Sequence, residues 1–259
     1  MMIDYESAKA AFEKYVAQYD LSDNKIRLKW IHTYGVVAYA QRIAEDEKLG
    51  EEDIQLAKLI ALLHDIGRFE QIRQFSSFND NNVSHAKLAG DYLFKEEHIR
   101  DFIEDNQYDE IIKKAVEQHS LYKIEEQGNK RETLHIKLLR DADKLDNFRV
   151  KNTEDIETMF DISMEELSQQ KITDRIYDQI LCNQPIVAEE RKTNIDMWAS
   201  WIAFIFDLNF RSSFKCLIEM DYISKNIDRI DYQLDYTKKK MELIKKHCNR
   251  YIVWRSVTK

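Results

Sequence analysis

The 259-residue sequence has few residues that break helices, with one proline and only five glycines. Charged residues make up 33% of the chain and recur in periodic blocks, so we predict an almost entirely helical, all-α protein. At this length we expect one large domain, or one domain with a sizeable extension.

Cysteines are also few and far apart. The three residues, Cys182, Cys216 and Cys248, form no Cys-x-x-Cys pair. We interpret them as reduced structural residues of a cytoplasmic protein, and the spacing does not indicate zinc-finger chemistry.

The chain lacks long apolar runs and clusters of positive charge. Its longest apolar run, 198–206, is interrupted by Ser200 and is far shorter than the roughly 20 residues of a membrane span. The first residues have an acidic flank and no apolar signal core, so neither export nor membrane insertion is expected. With 39 basic against 47 acidic residues the formal charge is −8, and we predict no binding to duplex nucleic acid.

One apolar run, 59–63, ends directly in His64 and Asp65. Burying an unpaired ionised group is costly, so this pair must be hydrogen-bonded, ion-paired or bound to a metal, and we favour the metal. Gly67 is predicted to end the helix. The segment 69–83 is predicted to be a loop, either a lid over a pocket or a plain connection.

Similar polar residues recur on the inward faces of other predicted helices. Helical periodicity places four of them at or near helix ends: His32 in a helix at about 25–47, His85 after the predicted cap Ser84, His119 near the end of its helix, and Asp143 in a helix at about 133–148. Imidazole and carboxylate ligands suit manganese, iron, cobalt, nickel or zinc, and magnesium could also bind. Together with His64 and Asp65 they number six ligands, which fits two ions sharing a carboxylate better than one tetrahedral ion.

The order of these motifs resembles the HD-domain superfamily of metal-dependent phosphohydrolases. The four defining positions of that family are matched by His32, His64, Asp65 and Asp143, and 142–146 matches its closing motif. His85 and His119 match the two extra histidines of the two-metal branch. We therefore interpret 1–150 as an HD-domain helical bundle with the metal site, and 151–259 as a helical extension packed on the same core. The aromatic helix at 198–206 could belong to that core or to a homodimer face.

By this resemblance, a first divalent ion is held by His32, His64, Asp65 and Asp143. Asp65 bridges to a second ion, which is held by His85 and His119. The implied enzyme hydrolyses a phosphate ester or anhydride of a nucleotide or another small phosphorylated metabolite through a metal-activated hydroxide, with His64 and Asp65 as catalytic residues.

Two basic residues are candidates for contact with the substrate phosphate. Arg68 lies four residues after His64, and a guanidinium matches phosphate oxygens in a bidentate fork; the alternative is a surface salt bridge. Lys144 follows Asp143, although the 3.6-residue period turns it about 100° around the helix. We interpret the other three histidines as non-functional: His98, His135 and His247.

The sequence departs from the named substrate branches of the family. The cyclic-dinucleotide phosphodiesterases have a Gly-Tyr-Pro motif, and none follows His119 here. The hydrolases of the stringent-response alarmone have an acidic pair after the His-Asp motif, and none follows Asp65. The segment 64–71 resembles a bacterial HD-domain subgroup with the motif His-Asp-Ile-Gly-Arg-Phe. An HD-type di-iron oxygenase and a non-catalytic, nucleotide-binding regulatory domain stay open as alternatives.

Overall fold

A computed structural model describes residues 3–78, 80, 83–125 and 128–258, and these residues form helices and connecting turns with no β-strand. The all-α prediction is therefore confirmed. The chain divides into two compact units, Met1–Asp143 and Lys144–Lys259. None of the described helices is long and apolar enough to cross a bilayer.

The first unit contains seven α-helices among its described residues, the last of which continues into the second unit. They are α1 (Tyr5–Val16), α2 (Asn24–Asp46), α3 (Glu51–Leu63), α4 (Ile66–Phe75), α5 (His85–Gly90), α6 (Asp109–Gln118) and α7 (Lys130–Thr153). Helix α3 is central, because every side chain of 59–63 is fully buried. Helices α1 and α2 pack against it, and α5 packs between α4 and α6.

The starts of these helices follow the capping residues in the sequence. The Asp23 carboxylate accepts hydrogen bonds from the amides of Lys25 and Ile26 at the start of α2. The Ser84 hydroxyl accepts from the Lys87 amide and begins α5, which confirms the predicted cap. Side chains that accept the first free N–H groups of a helix stabilise its start by about 1 kcal/mol each.

Two predictions for the chain that follows His64 are wrong, the first of them in part. The loop predicted over 69–83 is wrong for 69–75, because α4 runs to Phe75 and buries Phe69 and Ile72 at helical spacing; the described residues of the segment after Phe75 are non-helical, as predicted. Gly67 does not end a helix, because α3 already ends at Leu63 and Gly67 lies in the first turn of α4. The predicted lid is not tested, since Asn79, Asn81 and Asn82 lie outside the described residues.

The second unit begins in α7 and is completed by shorter helices. They are α8 (Ile156–Phe160), α9 (Met164–Ser168), α10 (Asp174–Leu181), α11 (Asn194–Ile202), α12 (Arg211–Met220), α13 (Tyr222–Asp228) and α14 (Asp235–Val257). Its core contains the fully buried rings of Trp198 and Phe214. The aromatic segment 198–206 is thus mostly interior, with Trp198, Ile202 and Ile205 almost inaccessible.

Candidate metal centre

The turn between α3 and α4 presents His64 and Asp65, which are 0% and 2% exposed. The Tyr15 hydroxyl secures this turn by donating to the Ile66 carbonyl at 2.9 Å. Gly67 leaves room for α5, since a Cβ atom there would lie 2.3 Å from the His85 carbonyl oxygen. The local backbone thus brings the end of α3 and the start of α5 together.

The structure places four histidines around the Asp65 carboxylate. On one side, Oδ2 lies 3.8 Å from His32 Nε2 and 3.5 Å from His64 Nε2. On the other side, Oδ1 lies 3.4 Å from His85 Nε2 and 3.7 Å from His119 Nε2. Each oxygen of one carboxylate therefore faces its own pair of imidazoles.

Asp143 completes the side formed by α2 and α3. Its Oδ1 lies 3.1 Å from His32 Nε2 and 3.9 Å from His64 Nε2. Among the described residues, two groups have ligand atoms close enough to hold a metal ion: His32, His64 and Asp143, and His64, Asp65 and His119. His85 belongs to neither group, but its Nε2 lies next to the second one, 3.1 Å from His119 Nε2 and 3.4 Å from Asp65 Oδ1. All six predicted ligands are thus brought together.

Hydrogen bonds at the outer ring nitrogens direct the imidazoles inward. Nδ1 of His64 and Nδ1 of His119 each donate to a carbonyl of their own helix, at 2.7 Å. In a neutral imidazole this leaves the lone pair on Nε2, which faces Asp65. Such outer partners are the usual means of fixing the tautomer of a metal-binding histidine.

The residues present fit a divalent cation. His64 Nε2 and Asp65 Oδ1 are buried polar atoms with no hydrogen-bond partner among the described residues, and a buried acceptor without a partner is costly. Burial lowers the pKa of His64 and of His85 to about 4. Burial by itself would raise the pKa of Asp65, but Lys29 and the nearby imidazoles hold it well below its usual range. Neutral imidazoles and an ionised carboxylate are the forms that bind metals.

Lys29 is a site residue that the sequence reading missed. Its Nζ lies 2.7 Å from Asp65 Oδ2, and only 13% of its side chain is exposed. Lys29 stands three residues before His32 on α2, so helical spacing places both on one face. The three-residue spacing between Lys29 and His32 could therefore have indicated a positive charge near the predicted ligand Asp65.

Arg140 and Asp80 were also missed, and each acts on a histidine. The Arg140 guanidinium donates to the carbonyls of Gln118 and His119, both at 3.0 Å, which holds the end of α6 that carries His119. Asp80 accepts from Nδ1 of His85 at 2.8 Å. No local sequence signal identifies either contact, because each depends on how separate segments meet.

The two candidate substrate-binding residues are both paired. Arg68 donates to Asp80 at 2.9 Å and to the Phe78 carbonyl at 2.8 Å. Its buried Nε lies 3.7 Å from Asp65 Oδ1 and has no hydrogen bond to any residue that the structure describes. Lys144 forms an ion pair with Asp207 at 2.9 Å. Contact between either residue and a substrate stays a prediction.

The remaining histidines have other partners. His98 and His247 contact Asp101 and Asn183, both at 2.9 Å. His135 is buried and lies 2.9 Å from an Asp53 carboxylate oxygen. None of the three belongs to a group that could hold a metal within the described part of the chain.

The fold and the site define an all-helical protein with a buried histidine–aspartate centre that could hold metal. The family model described as HD domain matches residues 30–147, and this segment contains all six predicted metal ligands. The match supports the HD-domain superfamily for this segment, and that family consists mostly of metal-dependent phosphohydrolases. No curated protein and no solved structure matches the chain significantly.

Proposed function

We propose that this protein is a metal-dependent phosphohydrolase acting on a nucleotide or another small phosphorylated metabolite. The observation that carries the proposal is the placement of Asp65, each of whose oxygens faces a separate pair of imidazoles. A carboxylate between two sets of ligands is the arrangement expected of a bridging ligand in a two-ion site.

The residues divide naturally between two ions. His32, His64 and Asp143 would hold one ion on the Oδ2 side of Asp65, while His85 and His119 would hold the other on the Oδ1 side. Nitrogen and oxygen ligands favour manganese, iron, cobalt, nickel or zinc, with magnesium also acceptable, and the site could work with one ion or two.

When bound, the metal supplies a Lewis acid that polarises a phosphoryl oxygen and lowers the pKa of a water for attack on phosphorus. His64 and Asp65 are buried at the α3–α4 turn. The surrounding helices therefore fix the position in which these two residues would hold the phosphoryl group and the attacking water. Arg68 Nε has no hydrogen bond among the described residues and lies on the same side as Asp65 Oδ1, where a guanidinium would match a phosphate oxygen. Lys144 is proposed as a second contact to the substrate.

A small substrate fits the charge of the chain better than a duplex does. The net charge of −8 repels a phosphate backbone, whereas cations held in the pocket reverse the field locally. The segment 64–71 resembles the bacterial subgroup with the motif His-Asp-Ile-Gly-Arg-Phe, which does not identify a substrate. A cytoplasmic location belongs to the same proposal and is supported by the three cysteines, all of which are free.

The proposal is tested by metal analysis of the purified protein together with phosphate release from a panel of nucleotides and phosphorylated metabolites. The wild type should carry transition metal near stoichiometry. The double variant His64→Ala/Asp65→Ala should lose both the metal and at least about 100-fold of the activity. His98→Ala, which removes an exposed histidine outside the site, should retain both.

Two other results would contradict the proposal. Full metal content in the double variant would remove these residues from the ligand set. Oxygen consumption by an iron-loaded sample, without phosphate release from any compound in the panel, would favour the HD-type di-iron oxygenase instead.

A further inference from the structure

Three histidines of the centre, His64, His85 and His119, are held in two different ways. His64 and His119 each donate Nδ1–H to a backbone carbonyl three residues earlier in their own helix. His85 instead contacts a side chain, because its Nδ1 lies 2.8 Å and 2.9 Å from the two carboxylate oxygens of Asp80. The orientation of His85 thus depends on a residue in the segment before α5.

Asp80 is itself held by neighbours on α4. Arg68 donates to its Oδ1 at 2.9 Å, and the buried Gln71 donates to the same oxygen at 2.8 Å. The His85 backbone amide adds a longer hydrogen bond of 3.3 Å. Partners on α4 and α5 therefore determine where this carboxylate lies.

We propose that Asp80 is a positioning residue that, by holding the His85 imidazole, determines whether the second metal position is filled. This inference rests on the proposed function. An accepting carboxylate fixes the tautomer in which His85 Nε2 is the free ligand atom, and it makes the imidazole more basic. Nε2 then points at Asp65 Oδ1, 3.4 Å away.

The effect should be confined to one side of the centre. Among the described residues, Asp80 forms its hydrogen bonds with Arg68, Gln71 and His85. The other side depends on the approach of His32 and Asp143, 3.1 Å apart, which come from α2 and α7. Loss of Asp80 should therefore weaken the second ion and spare the first.

The experiment is a titration of the metal-free protein with Mn²⁺, in which bound metal is counted by elemental analysis and an exchange-coupled pair is detected by electron paramagnetic resonance. The wild type should bind two ions and give the coupled signal. Asp80→Ala should retain one ion and bind the second about 10- to 100-fold more weakly. Asp80→Asn should fall between them, because its amide oxygen still accepts Nδ1–H but carries no charge.

Two further variants make the comparison specific. Asp101→Ala is the matched control, since it removes a carboxylate that lies 2.9 Å from an exposed histidine, His98, and it should behave as the wild type. His85→Ala should reproduce the one-ion behaviour of Asp80→Ala. Circular dichroism and the thermal midpoint show whether each variant is folded, and Asp80→Asn decides the question if the alanine variant is not.

The outcomes separate this inference from the function on which it rests. Two ions bound with unchanged affinity in a folded Asp80→Ala, or in Asp80→Asn if the alanine variant does not fold, would overturn the role of Asp80. So would a wild type that binds a single ion, or equal weakening of both ions in the variant. A wild type that binds no divalent metal at all would instead contradict the proposed function.

Discussion

Single residues at the α3–α4 turn determine what the centre can do. Asp65 offers two oxygens to two separate pairs of imidazoles, so one carboxylate serves both sides of the site. Gly67, two residues later, has no side chain, and this allows the backbone of α5 to approach and bring His85 to the same point. The contact between Asp65 and His85 therefore depends on glycine, rather than a larger residue, at position 67.

Replacing Gly67 with alanine should destabilise the protein. The added Cβ would lie 2.3 Å from the His85 carbonyl oxygen and 2.5 Å from the Ala89 amide nitrogen, and backbone atoms cannot move aside as a flexible side chain can. We expect the free energy of unfolding to fall by about 1–3 kcal/mol in urea denaturation, with weaker metal binding because His85 is displaced.

Gly128→Ala provides the control for this change, since no atom of the described residues outside its immediate chain neighbours lies within 4 Å of a Cβ atom there. Its free energy of unfolding should change by less than about 0.5 kcal/mol. A Gly67→Ala protein as stable as this control would contradict the close approach of α4 and α5.

At the scale of elements, the centre is built where helix ends meet. His64 and Asp65 follow the end of α3, His85 begins α5, and His119 follows the end of α6. Helix ends carry free carbonyl or amide groups that need partners. Arg140 on α7 supplies one for the end of α6 by donating to the carbonyl of Gln118, the last residue of that helix, and it donates as well to the carbonyls of His119 and Leu121, which follow it, at 2.6–3.0 Å.

Removing the hydrogen bonds of Arg140 should loosen the end of α6 and His119, which follows it. Arg140→Met keeps most of the apolar stem but leaves buried carbonyls without their donor, which costs about 1–3 kcal/mol of unfolding free energy. Arg140→Lys should recover part of the loss, because an ammonium can donate to the same carbonyls from a single point.

Urea denaturation and metal titration check this prediction together. Lys137→Met, on the same helix and partly exposed, serves as the control and should leave both measurements close to wild type. Unchanged metal affinity in a destabilised Arg140→Met would show that α6 is held but that His119 is positioned by other contacts.

At the scale of the whole molecule, folding in the absence of metal should depend on pH through the buried imidazoles. Burial lowers the pKa of His64 and of His85 from the usual 6.5 to about 4. Between these values the unfolded chain binds protons that the folded chain does not. Acid therefore favours the unfolded state over this interval.

We expect the free energy of unfolding of the metal-free protein to decrease as the pH falls from about 6.5 to about 4. More than about one pH unit above the usual pKa of 6.5 both imidazoles are neutral in either state, so they contribute no slope there. Chemical denaturation at several pH values in a chelating buffer measures the effect. His64→Gln/His85→Gln, which removes both titrating groups, should flatten the dependence, and an unchanged slope would assign it to other residues.

The sequence by itself determined the helical class and the six histidines and aspartates of the centre. Sparse proline and glycine leave helices uninterrupted, and the 3.6-residue period identifies which side chains face inward. A buried imidazole or carboxylate is costly without a partner, so the sequence alone marks the inward residues His32, His64 and Asp143 as candidates for a site. The order of the motifs then indicated the HD-domain superfamily, which the family match over 30–147 supports.

Only the tertiary structure decided how those residues are held. The segment after Gly67 is helical because Phe69 and Ile72 find a core to fill, and that core is invisible in the local pattern. The ion pair between Lys29 and Asp65 joins residues 36 positions apart, and Arg140 reaches the end of another helix. Periodicity describes one helix at a time, whereas these contacts depend on the packing of several helices, and that packing is a property of the folded chain.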